Sequence, residues 1–138
     1  MKPVIFAFVS LALAAGYAAA DPLDVYGTYA TEEENSHIQI ADCGDGTPCG
    51  TIVWIDPASV TEGKTPATAT DADGKKILGL TMLEGFKKTA KGWADGTIYN
   101  PKEGKTYSSK MKLLDSGILE VKGCVGFLCK TQNWKPVG

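Results

Sequence analysis

The sequence contains no arginine, and His37 is its one histidine among 138 residues. Arginine is the side chain that most often makes bidentate contacts with phosphate and carboxylate groups. Its absence, together with a net charge of −2 and an isoelectric point near 5.4, argues against nucleic-acid binding. With a single histidine, the chain has only one copy of the side chain that acid–base catalysis and metal binding use most often. No cofactor and no metal site is predicted.

Long apolar runs are scarce, and the chain has one, "VIFAFVSLALAA" at residues 4–15. It follows Lys2 and leads to small residues ending at Ala20, which is the pattern of a secretory signal peptide. The run is short for a membrane span. We therefore expect residues 1–20 to be removed, and residues 21–138 to form one periplasmic or secreted domain without stable membrane insertion.

The four cysteines have no C-x-x-C spacing, and their separations are too wide for a zinc motif. In an exported chain, four cysteines indicate two disulfides, for which three pairings are possible. We expect the local pairing, Cys43–Cys49 and Cys124–Cys129. The segments "CGDGTPC" and "CVGFLC" contain glycine, so each can fold back on itself.

Helical periodicity is almost absent, and apolar residues alternate with polar ones along most of the chain. This pattern predicts an all-β fold, a single antiparallel up-and-down barrel of about eight strands. The predicted strands are residues 25–30, 37–41, 50–56, 76–83, 91–100, 105–114, 118–124 and 128–137. An eight-stranded barrel has room inside for side chains or for one small ligand.

Three motifs support a family resemblance over essentially the whole chain after residue 20. They are G-T-I-V-W at residues 50–54, W-x-x-G-x-I-Y-x-P-x-x-G-K-x-Y at 93–107 and G-C-V-G-x-x-C-x-x-Q-x-W at 123–134. Together they resemble the DUF2147 family of small exported bacterial proteins. The resemblance implies a lipocalin-like (calycin) β-barrel and adds no established activity.

Lipocalins typically carry G-x-W on the first strand, with a basic residue of the last strand packed over the indole. Here Gly27, Thr28 and Tyr29 occupy that place, and Lys135 is the corresponding basic residue. A lysine on tyrosine is a weaker cation–π pair than an arginine on tryptophan. The resemblance therefore implies the barrel more firmly than it implies this contact.

Aromatic and apolar residues on the predicted strands are the candidates for a ligand site. If the barrel encloses a cavity, strand parity predicts its lining as Trp54, Trp93, Tyr107, Met111 and Leu113. Such a cavity would take a small apolar or amphipathic molecule.

The alternative is a barrel filled by its own side chains, because aromatic residues also dominate core burial. The protein would then act through its surface, as an envelope interaction or stress-related module whose protein partner the sequence does not identify. The loop at residues 57–75 and the lysines Lys87, Lys88 and Lys91 are the candidate contact surfaces.

Catalysis has little support in the sequence. His37 alternates with apolar neighbours and is expected to point outward, and Ser108 and Ser109 have no obvious base. Asp95 would require burial to become a useful acid or base. The acidic stretch "TDADGKK" at residues 70–76 lacks the calcium-loop glutamate, so a plain turn is predicted. We predict no catalytic residue and a protein that is not an enzyme.

Overall fold

The computed structural model describes residues 20–138, so the predicted signal peptide, apart from Ala20, lies outside the described residues. Nine strands follow one another along the described chain. They are β1 Gly27–Ala30, β2 Ser36–Asp42, β3 Pro48–Ile55, β4 Thr81–Glu84, β5 Lys87–Thr89, β6 Gly92–Asn100, β7 Lys105–Leu113, β8 Leu119–Val125 and β9 Leu128–Pro136. Within residues 20–138 no helix is long and apolar enough to cross a membrane.

Eight of the strands close into an antiparallel barrel. Consecutive strands pair with each other from β1 to β4 and from β5 to β9, β1 pairs with β9, and β4 pairs with β6. The short strand β5 continues the line of β4 and pairs with the beginning of β6. This confirms the all-β fold class and the single up-and-down barrel of eight strands.

Alternation along the strands separates a buried inner face from a charged outer face. On β8, Leu119 and Val121 are buried, and Glu120 lies between them on the outer face. The Glu120 carboxylate is 3.9 Å from the Lys112 ammonium and 3.7 Å from that of Lys122. The predicted parity of this strand is confirmed.

The seam between β1 and β9 differs from the arrangement that the lipocalin resemblance implies. Tyr29 is 4% exposed and pairs with Pro136, while Lys135 pairs with Ala30. The Lys135 ammonium lies 3.9 Å from the Glu34 carboxylate, and both side chains are largely exposed. The basic residue of the last strand therefore forms a surface ion pair.

The predicted strand at residues 76–83 is wrong in its first half, because β4 begins only at Thr81. Gly79 has a φ of 90°, which an extended strand does not allow, and its amide donates to the carbonyl of Ile52. The β3–β4 connection is therefore longer than predicted and covers residues 56–80. It opens with a 3₁₀ turn, Pro57–Ser59, in which the Ala58 amide donates to the Asp56 carboxylate.

Both predicted disulfides are confirmed, and each stabilises a different end of the barrel. Cys43–Cys49 closes the β2–β3 connection, and Cys124–Cys129 closes the hairpin between β8 and β9. Strand connections in an up-and-down barrel alternate between its two ends. The β2–β3 connection therefore lies at the end opposite the β8–β9 hairpin.

Candidate ligand-binding cavity

One end of the barrel is filled by side chains. Trp134 is fully buried there, together with Ile38, Ile40, Leu83 and Leu119. This core closes the end of the barrel that lies opposite the β8–β9 hairpin.

The segment before β1 seals the same end from outside. The Trp93 indole N–H donates to the Leu23 carbonyl at 2.9 Å, and the Leu113 amide donates to the Pro22 carbonyl at 3.1 Å. Val25 is fully buried against the core. The floor is therefore a packed layer, with the chain held beneath it by two hydrogen bonds.

Above the floor lies a cavity of about 1050 Å³ that opens to solvent. Its mouth is formed by the β1–β2, β3–β4, β6–β7 and β8–β9 connections, which all lie at one end of the barrel. Its apolar wall includes Ile52, Ile55, Ile77, Met82, Ile98 and Val121. The volume lies just above the usual range for small-molecule sites, roughly 300–1,000 Å³.

Strand β9 contributes two polar side chains to this largely apolar wall. Lys130 pairs with Gly123, and Gln132 pairs with Val121, so both share the face that lines the cavity. The other charged residues around the cavity belong to loops and turns. None of the ion pairs among residues 20–138 involves Lys130.

The orientation of the Gln132 amide follows from its neighbour in the floor. The Trp134 indole N–H donates to Gln132 Oε1 at 2.9 Å. An indole N–H is a donor only, so the oxygen is the amide atom that faces the floor, and the NH₂ group takes no part in this contact. Gln132 and Lys130 therefore offer only donors to the cavity, which favours a hydrogen-bond acceptor or an anionic group of a ligand.

A buried hydroxyl lies on the inner face of β7 at the lower limit of the cavity. Ser109 is 1% exposed, and its Oγ is the one buried side-chain polar atom in residues 20–138 without a hydrogen-bond partner. It lies between Tyr107, which lines the cavity, and Met111, which belongs to the core. This unpaired hydroxyl lies where the filled end of the barrel meets the open end.

The long β3–β4 connection is fastened beside the mouth by Asp71. One carboxylate oxygen accepts from the Tyr99 hydroxyl at 2.6 Å, and the other accepts the backbone amides of Asp73 and Lys75. These hydrogen bonds, Tyr99 first, hold the pKa of Asp71 below its ordinary value. The same contact, with desolvation, raises the pKa of Tyr99 to about 12.

The β6–β7 turn carries a second hydroxyl–carboxylate contact at the mouth. The Tyr107 hydroxyl donates to the Glu103 carboxylate, which raises the pKa of Tyr107. The nearby Lys102 ammonium lies 3.7 Å from the Glu33 carboxylate of the β1–β2 turn. Many of the polar and charged side chains around the mouth are thus paired with one another through hydrogen bonds and an ion pair.

The predicted lining residues separate into three groups. Tyr107 lies on the cavity wall. Trp93 and Met111 are buried in the floor and core, and Leu113 is half-buried beside them on β7. Parity placed these residues on the inner face, but it could not tell the filled end from the open end.

Trp54 requires a correction, because it lies on the outside of the barrel. A β-bulge in the β2–β3 ladder aligns His37 with Trp54 and Ile38 with Ile52, which leaves Val53 as the extra residue. An extra residue reverses the side-chain alternation beyond it. Trp54 is consequently 39% exposed and stacks against His37, with ring centroids 4.3 Å apart.

Sequence reasoning missed Lys130 and Gln132. The available signal was the alternation counted back from Trp134, which places residues 132 and 130 on the same face. It also missed the wall contributed by the long connection, in which Ala69 and Ile77 line the cavity. These positions depend on how a loop folds over the barrel, which alternation does not encode.

The residues considered for acid–base chemistry do not line this cavity. His37 is on the outer face against Trp54, and Asp95 is exposed in a bulge of β6 with a φ of 55°. Within residues 20–138, no three His, Cys, Asp or Glu side chains lie close enough together to hold a metal ion. Asp71 already accepts three hydrogen bonds.

A closed eight-stranded antiparallel barrel with a plugged floor and one open end is a lipocalin-like fold. The chain belongs to the family described as "Uncharacterized protein conserved in bacteria (DUF2147)", whose model matches residues 27–136. The expected family is thereby confirmed. The two disulfides fit an extracellular or periplasmic location.

A solved structure supports the barrel independently. The protein HP1028 from the human pathogen Helicobacter pylori, described as belonging to the lipocalin family, is similar with a TM-score of 0.65. The two chains are 21% identical, and the similarity covers 84% of each. This likeness shows the fold. No curated protein matches the chain.

Proposed function

We propose that this protein binds an amphipathic small molecule in the open half of its barrel. The observation that carries the proposal is the cavity of about 1050 Å³ above a fully packed floor. Filling that space with side chains would make the barrel more stable, because the residues that line a void lack packing partners on one side. The lipocalin-like fold of the family supports the same function.

The aliphatic wall supports an apolar portion of the ligand. Six aliphatic or methionine side chains from β3, β4, β6, β8 and the long connection face the cavity. Burying a ligand's methylene groups against them contributes about 0.8 kcal/mol each. Met82 adds a pliable contact that can adapt to different chain shapes.

The donors on β9 support a polar group at one side of the ligand. Lys130 is without an ion pair among residues 20–138, and the Gln132 NH₂ group takes no part in the contact with Trp134. Both groups donate and neither is neutralised by an acceptor on the wall. A carboxylate or another acceptor-rich head group is the chemistry that complements them.

Ligand occupancy is tested by native mass spectrometry of the protein recovered after export, followed by denaturing mass spectrometry of the same sample. We expect extra mass in the native spectrum that disappears on denaturation. A long-chain carboxylate then serves as a defined probe, and its binding is measured by titration calorimetry. No bound molecule together with no saturable binding of the probe would contradict the proposal.

The head-group position is tested with two matched lysine variants. Lys130→Met keeps the length of the side chain and removes the charge, and we expect it to weaken binding of the carboxylate probe about tenfold. Lys110→Met makes the same change on an exposed residue of β7 that does not line the cavity. Equal effects of the two variants would show that the head group does not lie at β9.

We also infer that residues 1–20 are a signal peptide, which would deliver the protein to the periplasm or the medium. The positive start, the apolar run and the small residues before Asp21 support this inference. The disulfides support it too, because such bridges persist in oxidising compartments. The denatured mass tests it, since cleavage after Ala20 leaves a chain of residues 21–138, and any other mass would refute it.

A further inference from the structure

The hairpin between β8 and β9 exposes three large apolar side chains in succession. Phe127 is 95% exposed, Leu128 is 72% exposed and Val125 is 66% exposed. The other exposed large apolar residues of the described chain range from 38% to 43%. Isolated exposed apolar residues are common, whereas a contiguous exposed group indicates an interaction surface.

The hairpin holds these side chains in a fixed, narrow arrangement. Val125 pairs with Leu128, which leaves a two-residue turn of Gly126 and Phe127. Gly126 has a φ of 58°, as tight two-residue turns require at this position. The Cys124–Cys129 disulfide closes the strands directly below, so the apolar tip stays extended in solvent at little further cost in entropy.

The tip is continuous with the mouth of the cavity. Val125, Leu128 and Cys129 belong to the cavity wall, and Phe127 lies at the end of the same hairpin. Residues 123–129 contain no charged side chain. An apolar surface thus leads from solvent to the place where we propose that an amphiphile binds.

The size and shape of the tip favour a lipid bilayer over a folded protein as its partner. Three side chains of this kind offer on the order of 400 Å², whereas a stable protein interface requires about 800 Å² from each partner. A convex point is also poorly suited to a specific protein interface. It is well suited to entering the boundary between head groups and acyl chains, where a few apolar side chains give weak, reversible binding.

We propose that the tip formed by Val125, Phe127 and Leu128 docks the open end of the barrel on a lipid bilayer. The mouth then faces the membrane, and an amphiphile can pass between the bilayer and the cavity with little exposure to water. Docking itself requires only the tip. It therefore stands or falls separately from ligand binding.

The test is flotation of the full exported protein with vesicles of phosphatidylethanolamine and phosphatidylglycerol. Phe127→Ser is the test variant, because Phe127 is fully exposed and does not belong to the cavity wall. We expect it to lower the partition coefficient by at least about tenfold. Val53→Ser, an exposed apolar residue on the outer face of β3, is the matched control and should stay within about twofold of the unchanged protein.

Three outcomes would overturn the proposal. The unchanged protein fails to float at any lipid concentration, Phe127→Ser floats as well as the unchanged protein, or Val53→Ser loses as much binding as Phe127→Ser. Sedimentation equilibrium adds a further check. A dimer that disappears in Phe127→Ser, without any flotation of the unchanged protein, would assign the tip to a second copy of the chain. Vesicle binding is measured without ligand, so failure of ligand binding leaves this result intact.

Discussion

Two glycines in one cross-strand row provide a sharp test of how the floor and the cavity are packed. Gly96 on β6 and Gly123 on β8 both pair with Ser109 on β7. A Cβ atom at Gly96 would lie 2.4 Å from two carbons of the Phe86 ring. A Cβ atom at Gly123 would lie 3.5 Å from Ile98 Cγ2, which is ordinary contact. Neither glycine has a positive φ, so the backbone admits alanine at both positions.

The difference between Gly96→Ala and Gly123→Ala can be estimated from these contacts. Replacing glycine by alanine at a compatible position stabilises a protein by about 0.4–1 kcal/mol through the unfolded state. Overpacking a core costs about 1–3 kcal/mol. Phe86 is 3% exposed and cannot leave its place without exposing its ring. We expect Gly96→Ala to lower the free energy of unfolding by about 2 kcal/mol and Gly123→Ala to leave it unchanged or slightly raised.

Urea unfolding followed by tryptophan fluorescence measures both variants against the unchanged protein. The double variant Gly96→Ala with Phe86→Leu should be less destabilised than the sum of its single changes, since a smaller side chain at residue 86 relieves the contact. Equal midpoints for Gly96→Ala and Gly123→Ala would refute the reasoning. Strict additivity in the double variant would also refute it, because the two residues would then not be in contact.

Two further predictions follow from the hairpin disulfide and from the mouth. Replacing Cys124 and Cys129 together by serine opens a six-residue loop, so the free energy of unfolding should fall by about 2 kcal/mol and the melting temperature by roughly 8 °C; an unchanged melting temperature under oxidising conditions would contradict the role of the bridge. The raised pKa of Tyr99, about 12, means that its contribution to stability is complete below its unfolded value of about 10 and is lost as pH rises through the folded value. The lowered pKa of Asp71 means that its contribution is present above about 3.9 and is lost as pH falls through the folded value. Absorbance titration of tyrosine should therefore show a phenol ionising near pH 12 that Tyr99→Phe removes, and a titration unaltered by that change would contradict the contact with Asp71.

The regular strands were predictable because alternation is a direct consequence of strand geometry. In β8, Leu119 and Val121 are buried on the inner face while Glu120 and Lys122 lie on the outer face, so pattern and burial agree at these positions. The local disulfides were predictable for a similar reason, since glycine-containing segments of six and seven residues close easily. Features set by neighbouring residues along the chain could thus be read from the sequence.

The cavity itself was less accessible to sequence reasoning. Strict alternation predicts Trp54 on the inner face, because the bulge at Val53 arises from the pairing of two strands and cannot be recognised in the sequence of one strand. The position along the barrel axis at which the packed core ends and the cavity begins depends on side chains that come from many strands and pack against one another. Alternation predicts whether a side chain points into the barrel, but not whether it reaches the packed core or the cavity. The long connection at residues 56–80 adds wall residues through tertiary contacts such as Asp71 to Tyr99.

Strand β9 contributes side chains to the floor, to the cavity and to the exposed tip. Its inner face presents, from the floor outward, Trp134, Gln132, Lys130 and Leu128. The indole closes the barrel and fixes the amide, the amide and the ammonium offer donors to the cavity, and Leu128 joins the apolar tip. A bound amphiphile would therefore meet an apolar edge first and uncompensated donors next. If the proposals hold, Lys130→Met should impair ligand binding and leave vesicle docking intact, while Phe127→Ser should do the reverse. Such a separation would assign two functions to one hairpin, and coincident losses would show that the tip and the cavity act as a single site.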